Sequence, residues 1–331
     1  MSEIEPSDLQ LITLKNCKKS ELKILNYGAA IFGFKILDKK GNFQNVIVAP
    51  KDPETFLKPE YKKENKCFGA SIGRFAGRIS KGKFKIGEEQ FQLNQHNGIH
   101  LYGENIGFQH KIWKVEQVNE EKDPFAILTY YSKDGEEGYP GNLEVRVKYT
   151  LTEKDAISIE YSAKTDKETI VNLTNHSYFN LNGSGSVSDH FLEIDASKIL
   201  ELNEEKLPTG NLKKLKDQPK DYRKSRLLGN RALKDVFVLD SGANENQVQL
   251  FSPLTGIKML MSSNQPVIEV YLPESLPGAW EYNMNIDREF PGICFQAQNY
   301  PDAPNFKNFS SAVLKPDEEY KNNIIFDFSP Q

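Results

Sequence analysis

Glu144-Val145-Arg146-Val147-Lys148-Tyr149 alternates polar and apolar side chains, and Ile157-Ser158-Ile159-Glu160-Tyr161-Ser162 repeats the pattern after a short break. A period of two marks an extended strand with one wet face, because successive side chains leave opposite sides of the backbone. Working outward, Ile24 to Ile36, Lys83 to Leu93, Leu143 to Leu151, Ala156 to Ala163 and Val248 to Met261 are short and rich in Val, Ile, Tyr and Phe. Turn signals separate such segments: Lys40-Gly41-Asn42, Ile86-Gly87-Glu88, Lys133-Asp134-Gly135 and Asn182-Gly183-Ser184. Lys83–Ile86 and Gln90–Leu93 read as a hairpin around a three-residue Gly87-Glu88-Glu89 turn. Helical periodicity is scarce, with one short helix expected within Asp52 to Lys63, begun by Pro53. Many short strands with frequent turns predict an all-β protein, a large antiparallel β-sandwich or barrel. No linker-like stretch divides the chain, so residues 1–331 are expected to form a single domain, with Asn203 to Lys224 as a long surface excursion.

The 331 residues carry 42 basic and 46 acidic side chains, a net charge of −4, and 38% are apolar. There is no basic footprint for nucleic acid, and no apolar run approaches the ~18–20 residues of a membrane span. Glu3, Glu5 and Asp8 near the start, without an apolar stretch, do not read as a secretory signal. Cys17, Cys67 and Cys294 are widely spaced, which suits a reducing compartment. The expectation is a cytoplasmic protein with no nucleic-acid or membrane partner.

Several catalytic signatures are missing: the Gly-x-x-x-x-Gly-Lys-Ser/Thr loop, His-Glu-x-x-His and Cys-x-x-Cys. The five histidines lack the spacing of a metal site, so neither a metal nor another cofactor is expected. The most distinctive of them lies in Asn172-Leu173-Thr174-Asn175-His176-Ser177-Tyr178-Phe179-Asn180-Leu181. Its amides, hydroxyls and aromatic rings would suit a polyol site; a buried histidine tied to a neighbouring backbone group would give the same pattern.

Taken with other segments, this one resembles the aldose 1-epimerase (galactose mutarotase) family. Asn26-Tyr27-Gly28-Ala29, Gly73-Arg74-Phe75-Ala76-Gly77-Arg78-Ile79, Leu207-Pro208-Thr209-Gly210, Gln298 to Asn305 and Leu314 to Tyr320 are each similar to a family motif and occur in family order. The resemblance implies a single-domain, metal-free β-supersandwich and interconversion of the α and β anomers of a free aldose, most simply a free hexose. In the family a Glu takes the anomeric proton and a His protonates the ring oxygen. A second His, an Arg and an Asp bind the sugar.

Carried over residue by residue, the acid corresponds to His176 and the arginine to Arg74. The base position, in Cys294-Phe295-Gln296-Ala297-Gln298, holds Gln296, whose amide accepts a hydrogen bond but cannot store a proton near neutral pH. Tyr102, in His100-Leu101-Tyr102-Gly103, stands where the second histidine is expected; His100, two residues earlier, either faces the same cavity or is structural. The Asp position, in Lys234-Asp235-Val236-Phe237, holds Lys234, and Asp235 could substitute only through a bulge, since a one-residue shift reverses the face. Two readings stay open. One is an enzyme of weak activity or altered specificity, its base replaced by Glu269, Asp302 or Glu104 or by a water held by Gln296 and Gln298. The other is a carbohydrate-binding or sensing protein that kept the cleft. Lys234 either simply faces water or, standing in the cleft, would favour a uronate or a sugar phosphate by its point charge, and Trp280 is the expected stacking ring.

Overall fold

The computed structural model describes residues 4–103, 106–242 and 245–331. Its strands build two large antiparallel sheets and several small ones. Nine strands form the first sheet, in the order Lys114–Asn119, Phe125–Ser132, Leu143–Leu151, Ala156–Thr165, Tyr320–Pro330, Ile257–Ser263, Val248–Phe251, Phe191–Ile194 and Arg226–Leu227. Seven form the second: Pro208–Lys214, Lys198–Leu202, Leu233–Val238, Val267–Leu272, Ile293–Gln298, Tyr178–Phe179 and Ile47–Val48. This is the all-β architecture that the alternation predicts.

Along Leu143–Leu151 every second residue, from Leu143 to Leu151, is buried while its neighbours are at least partly wet. Those side chains meet Phe237, Ile268, Val270, Phe295 and Ala297 of the seven-stranded sheet in one apolar cluster between the sheets. Burial of each such Val, Leu, Ile or Phe contributes ~1.5–3 kcal/mol.

The parity of the seven-stranded sheet positions the site. Ile293, Phe295 and Ala297 point into the intersheet core, so Cys294, Gln296 and Gln298 point the other way. Val267–Leu272 follows the same rule, with Ile268, Val270 and Leu272 in the core and Glu269 and Tyr271 opposite. Leu233 and Phe237 are core residues, which puts Lys234 and Val236 on the outward face. Pairing from Leu233 to Val238 against Leu272 to Val267 runs without a register shift. No bulge intervenes, and Asp235 has the core-side parity.

Local details differ from the sequence expectation at three places. The hairpin pairs Ile86 with Glu89, so its turn has two residues, Gly87 and Glu88, with Gly87 at φ +58°. The expected helix is two pieces, a 3-10 turn at Pro53–Leu57 and an α-helix at Pro59–Glu64, because Pro59 holds Lys58 extended. Ile24 to Ile36 spans two antiparallel strands, Glu21–Leu25 and Ala30–Leu37, joined by a turn. Among the described residues no helix is long and apolar enough to cross a membrane.

Candidate active site

On the outward face of the seven-stranded sheet lies a pocket of about 160 Å³. Its floor is a set of cross-strand rows. Glu269 stands directly opposite Gln296, and Tyr271 is paired with both Lys234 and Cys294. Tyr178 is paired with Cys294 and continues that row. The walls come from outside the sheet: Asn65 and Lys66 after the short helix, Arg78 at the start of Arg78–Ser80, and Leu101 and Tyr102 at the end of Ile99–Leu101.

His176 lines this pocket, held there by its backbone. Its N–H donates to the Ala70 carbonyl (2.9 Å) and its carbonyl accepts from Gly69 N–H (3.0 Å). Asn175 Nδ2 donates to Gly69 O at 2.8 Å. Gly69 permits this approach: it has φ +66°, and a Cβ there would meet the Ile31 carbonyl oxygen at 1.9 Å. Other polar residues of the motif lock neighbouring chain segments together. Asn172 Nδ2 donates to Ala76 O and Asn299 O, and Thr174 Oγ1 to Ala297 O.

The imidazole packs against the rings of Tyr178, Tyr102 and Tyr271 at centroid distances of 5.2, 6.0 and 6.1 Å. Burial lowers its pKa from 6.5 to about 4, so it is neutral near pH 7. Its Nδ1 lies 3.6 Å from Cys294 Sγ. Burial holds the Cys294 thiol protonated, well above its usual range. The thiol and Nδ1 are within hydrogen-bond reach of each other, and the neutral imidazole carries one ring hydrogen.

Gln296 is fully buried, and its Oε1 accepts the Tyr102 hydroxyl at 3.1 Å. Its Nε2 has no hydrogen-bond partner among the described residues. Tyr102 and Gln296 therefore share the pocket with His176 and with Lys234, whose ammonium lies 5.9 Å from the Tyr271 ring centroid. Partial burial, then repulsion from Arg78, holds that ammonium below its ordinary pKa.

Three other candidates lie elsewhere. All five donor hydrogens of Arg74 are engaged by protein acceptors: Nε by Ser132 Oγ, Nη1 by Pro140 O and Gly141 O, Nη2 by Ser132 O and Lys133 O. It has no donor left for a sugar, and Arg78, four residues on, is the arginine of the pocket. Ile79 packs into a core cluster, so alternation alone sends Arg78 away from it, a signal present in the sequence. His100 is fully buried between Asn94 O (2.6 Å from Nδ1) and the Tyr139 hydroxyl (2.7 Å from Nε2), outside the pocket lining. Asp235 turns to the other face and binds Lys220 Nζ at 2.7 Å.

Of the carboxylates considered as replacements for the base, Glu269 lines the pocket. Its Oε2 accepts from Gln298 Nε2 at 3.3 Å, and burial raises its pKa against the lowering influence of Arg78 and Lys234. Asp302 is bound to Ser80 N–H and Asn305 Nδ2 and does not line the pocket. Glu104 lies outside the described residues. Trp280 packs with Tyr61, Phe68 and Tyr282 instead of lining the pocket. Among the described residues, no cluster of three or more His, Cys, Asp or Glu side chains could hold a metal ion.

A sequence profile of aldose 1-epimerase matches residues 10–327. The chain belongs to the aldose 1-epimerase family. It is 33% identical over 321 residues to a galactose mutarotase of Mus musculus, covering 92% of this chain and 90% of the relative. It is 29% identical over 309 residues to an aldose 1-epimerase of Haemophilus influenzae, covering 89% and 88%. A solved galactose 1-epimerase from Lactobacillus acidophilus superposes with a TM-score of 0.83 at 27% identity over 97% of this chain and 94% of that one. A solved aldose epimerase homologue from C. elegans shares the fold, with a TM-score of 0.88 at 24% identity over 97% and 99%. Anomer interconversion is the activity of the family.

Proposed function

We propose that the protein interconverts the α and β anomers of a free aldose, with Glu269 as the base and His176 at the ring oxygen. The observation carrying this reading is that one buried carboxylate and one buried imidazole line the same monosaccharide-sized pocket. The proton of the anomeric hydroxyl passes to the Glu269 carboxylate as the C1–O5 bond breaks and its electron pair moves to O5. His176, turned into an imidazolium by a proton taken from solvent, gives that proton to O5 as the bond breaks and takes it back when the ring closes. Rotation about C1–C2 and the reverse transfers close the ring on the other face. A raised pKa makes Glu269 a stronger base than an exposed carboxylate. Gln296, opposite it, holds the Tyr102 hydroxyl and offers a free amide hydrogen to a sugar hydroxyl.

A second reading, a carbohydrate-binding protein without turnover, draws on the amide at position 296. Polarimetry of freshly dissolved α-glucose and α-galactose separates the two. Acceleration over buffer that His176→Ala abolishes is the expected result. Sugar binding without acceleration would sink the enzymatic reading and leave the binding one.

A further inference from the structure

We infer that the aldose taken by this pocket carries an anionic group, a carboxylate or a phosphoester, at the end of the sugar remote from C1. The inference rests on the anomeric reading for the orientation of the sugar, and on charge for the rest. Lys66, Arg78 and Lys234 line the pocket, and among the described residues Glu269 is the one carboxylate that lines it with them. Among the described residues none of the three cations forms a salt bridge, although Arg78 and Lys66 are half-buried. Even if Glu269 neutralises one, two positive charges remain over a space of about 160 Å³. A neutral sugar needs donors and acceptors in rough balance, whereas ammonium and guanidinium groups only donate. Lys66 and Arg78 are partly shielded from water and Lys234 is exposed at the rim, so a ligand anion would gain charge-assisted hydrogen bonds from cations that have no carboxylate partner among the described residues.

The position of the anion follows from Lys234. Its side chain also borders a second, larger groove of about 740 Å³, to which Lys206, Lys213, Lys214 and Lys220 contribute. Lys213 is paired with Glu201 and Lys220 with Asp235, so among the described residues Lys206, Lys214 and Lys234 are left without a carboxylate partner. Lys234 thus stands between the pocket that holds Glu269 and His176 and a groove with a surplus of lysines. With C1 against Glu269, the acid group points toward Lys234 and this groove. A phosphate on O1 is excluded chemically, because anomer exchange needs a free hydroxyl there. The partner reactions this implies are those that make or consume a uronic acid or a sugar phosphorylated away from C1.

The test is titration calorimetry of the full-length protein with galactose, galacturonate and galactose 6-phosphate, and with the three glucose counterparts, at about 20 mM and 150 mM salt. Each acidic sugar of the favoured kind should bind at least tenfold more tightly than its neutral parent, and the ratio should shrink at the higher salt. The uronate and phosphate arms identify which anion is recognised. In Lys234→Met the ratio of acidic to neutral affinity should collapse toward one, and in Lys234→Arg it should persist. Equal affinity for neutral and acidic sugars, or a ratio that Lys234→Met leaves unchanged, overturns the inference. Binding is read without turnover, so a protein that prefers acidic sugars yet leaves mutarotation at the buffer rate supports this inference while refuting the enzymatic reading. Acceleration with no acidic preference does the reverse.

Discussion

Glu269→Gln isolates the base. The two side chains have the same shape, and the amide oxygen can still accept from Gln298 Nε2, which lies 3.3 Å from the carboxylate. Glu269 is 6% exposed and its carboxylate is disfavoured by burial, so replacement by a neutral amide should not lower the thermal midpoint. What disappears is the capacity to hold a proton. General base catalysis is worth ~10²–10⁴-fold, equivalent to about 3–5 kcal/mol of barrier, and turnover should fall by that factor. The register supplies a restoring change. Glu269 and Gln296 are direct partners across antiparallel strands, where Cβ atoms lie about 4.5–5.5 Å apart. Glu269→Gln combined with Gln296→Glu moves the carboxylate one strand over and keeps the pocket's charge, and it should recover at least a tenth of the wild-type rate. The assay is the exchange of anomeric proton signals by NMR, with polarimetry as the slower check. A folded Glu269→Gln protein that turns over within threefold of wild type would falsify the assignment of Glu269 as base.

Further outcomes follow from the same contacts. Arg74→Met should destabilise the fold by ~3–5 kcal/mol in urea unfolding, since it removes a buried cation that binds five acceptors. Arg78→Met should change stability by less than about 1 kcal/mol while weakening sugar binding; similar stability losses for both variants would contradict their separate roles. Tyr102→Phe strips Gln296 Oε1 of its donor and should cost about 1–3 kcal/mol, measured by the same unfolding curves. His100, His110 and His176 are each lowered from 6.5 to about 4 by burial. Their folded-state values lie below the unfolded one, so the unfolded chain binds more protons between pH 6.5 and 4. Stability is full above that window and is lost as the pH falls through it, on the order of 3 kcal/mol per group. Urea midpoints that stay level from pH 7 to pH 4.5 would contradict this, as would NMR titration of His176 with a midpoint near 6.5.

Strand character was legible in the chain, because alternation along Leu143–Leu151 and Ala156–Thr165 is a local property of the backbone. The same parity sets Lys234 and Asp235 on opposite faces where no bulge separates them, and it turns Arg78 away from the core that Ile79 enters. Motif order was enough to single out His176, Tyr102, Gln296 and Lys234, and the fold gathers all four into one pocket.

The company those residues keep required the folded molecule. Glu269 and Gln296 lie on different strands and become neighbours through the antiparallel register of Val267–Leu272 with Ile293–Gln298. No local pattern encodes that pairing, because register depends on what the two sheets bury between them. The same holds for Arg74, whose five acceptors come from residues 132 to 141. A motif shows that an arginine is present, but its role depends on which carbonyls the fold brings to it.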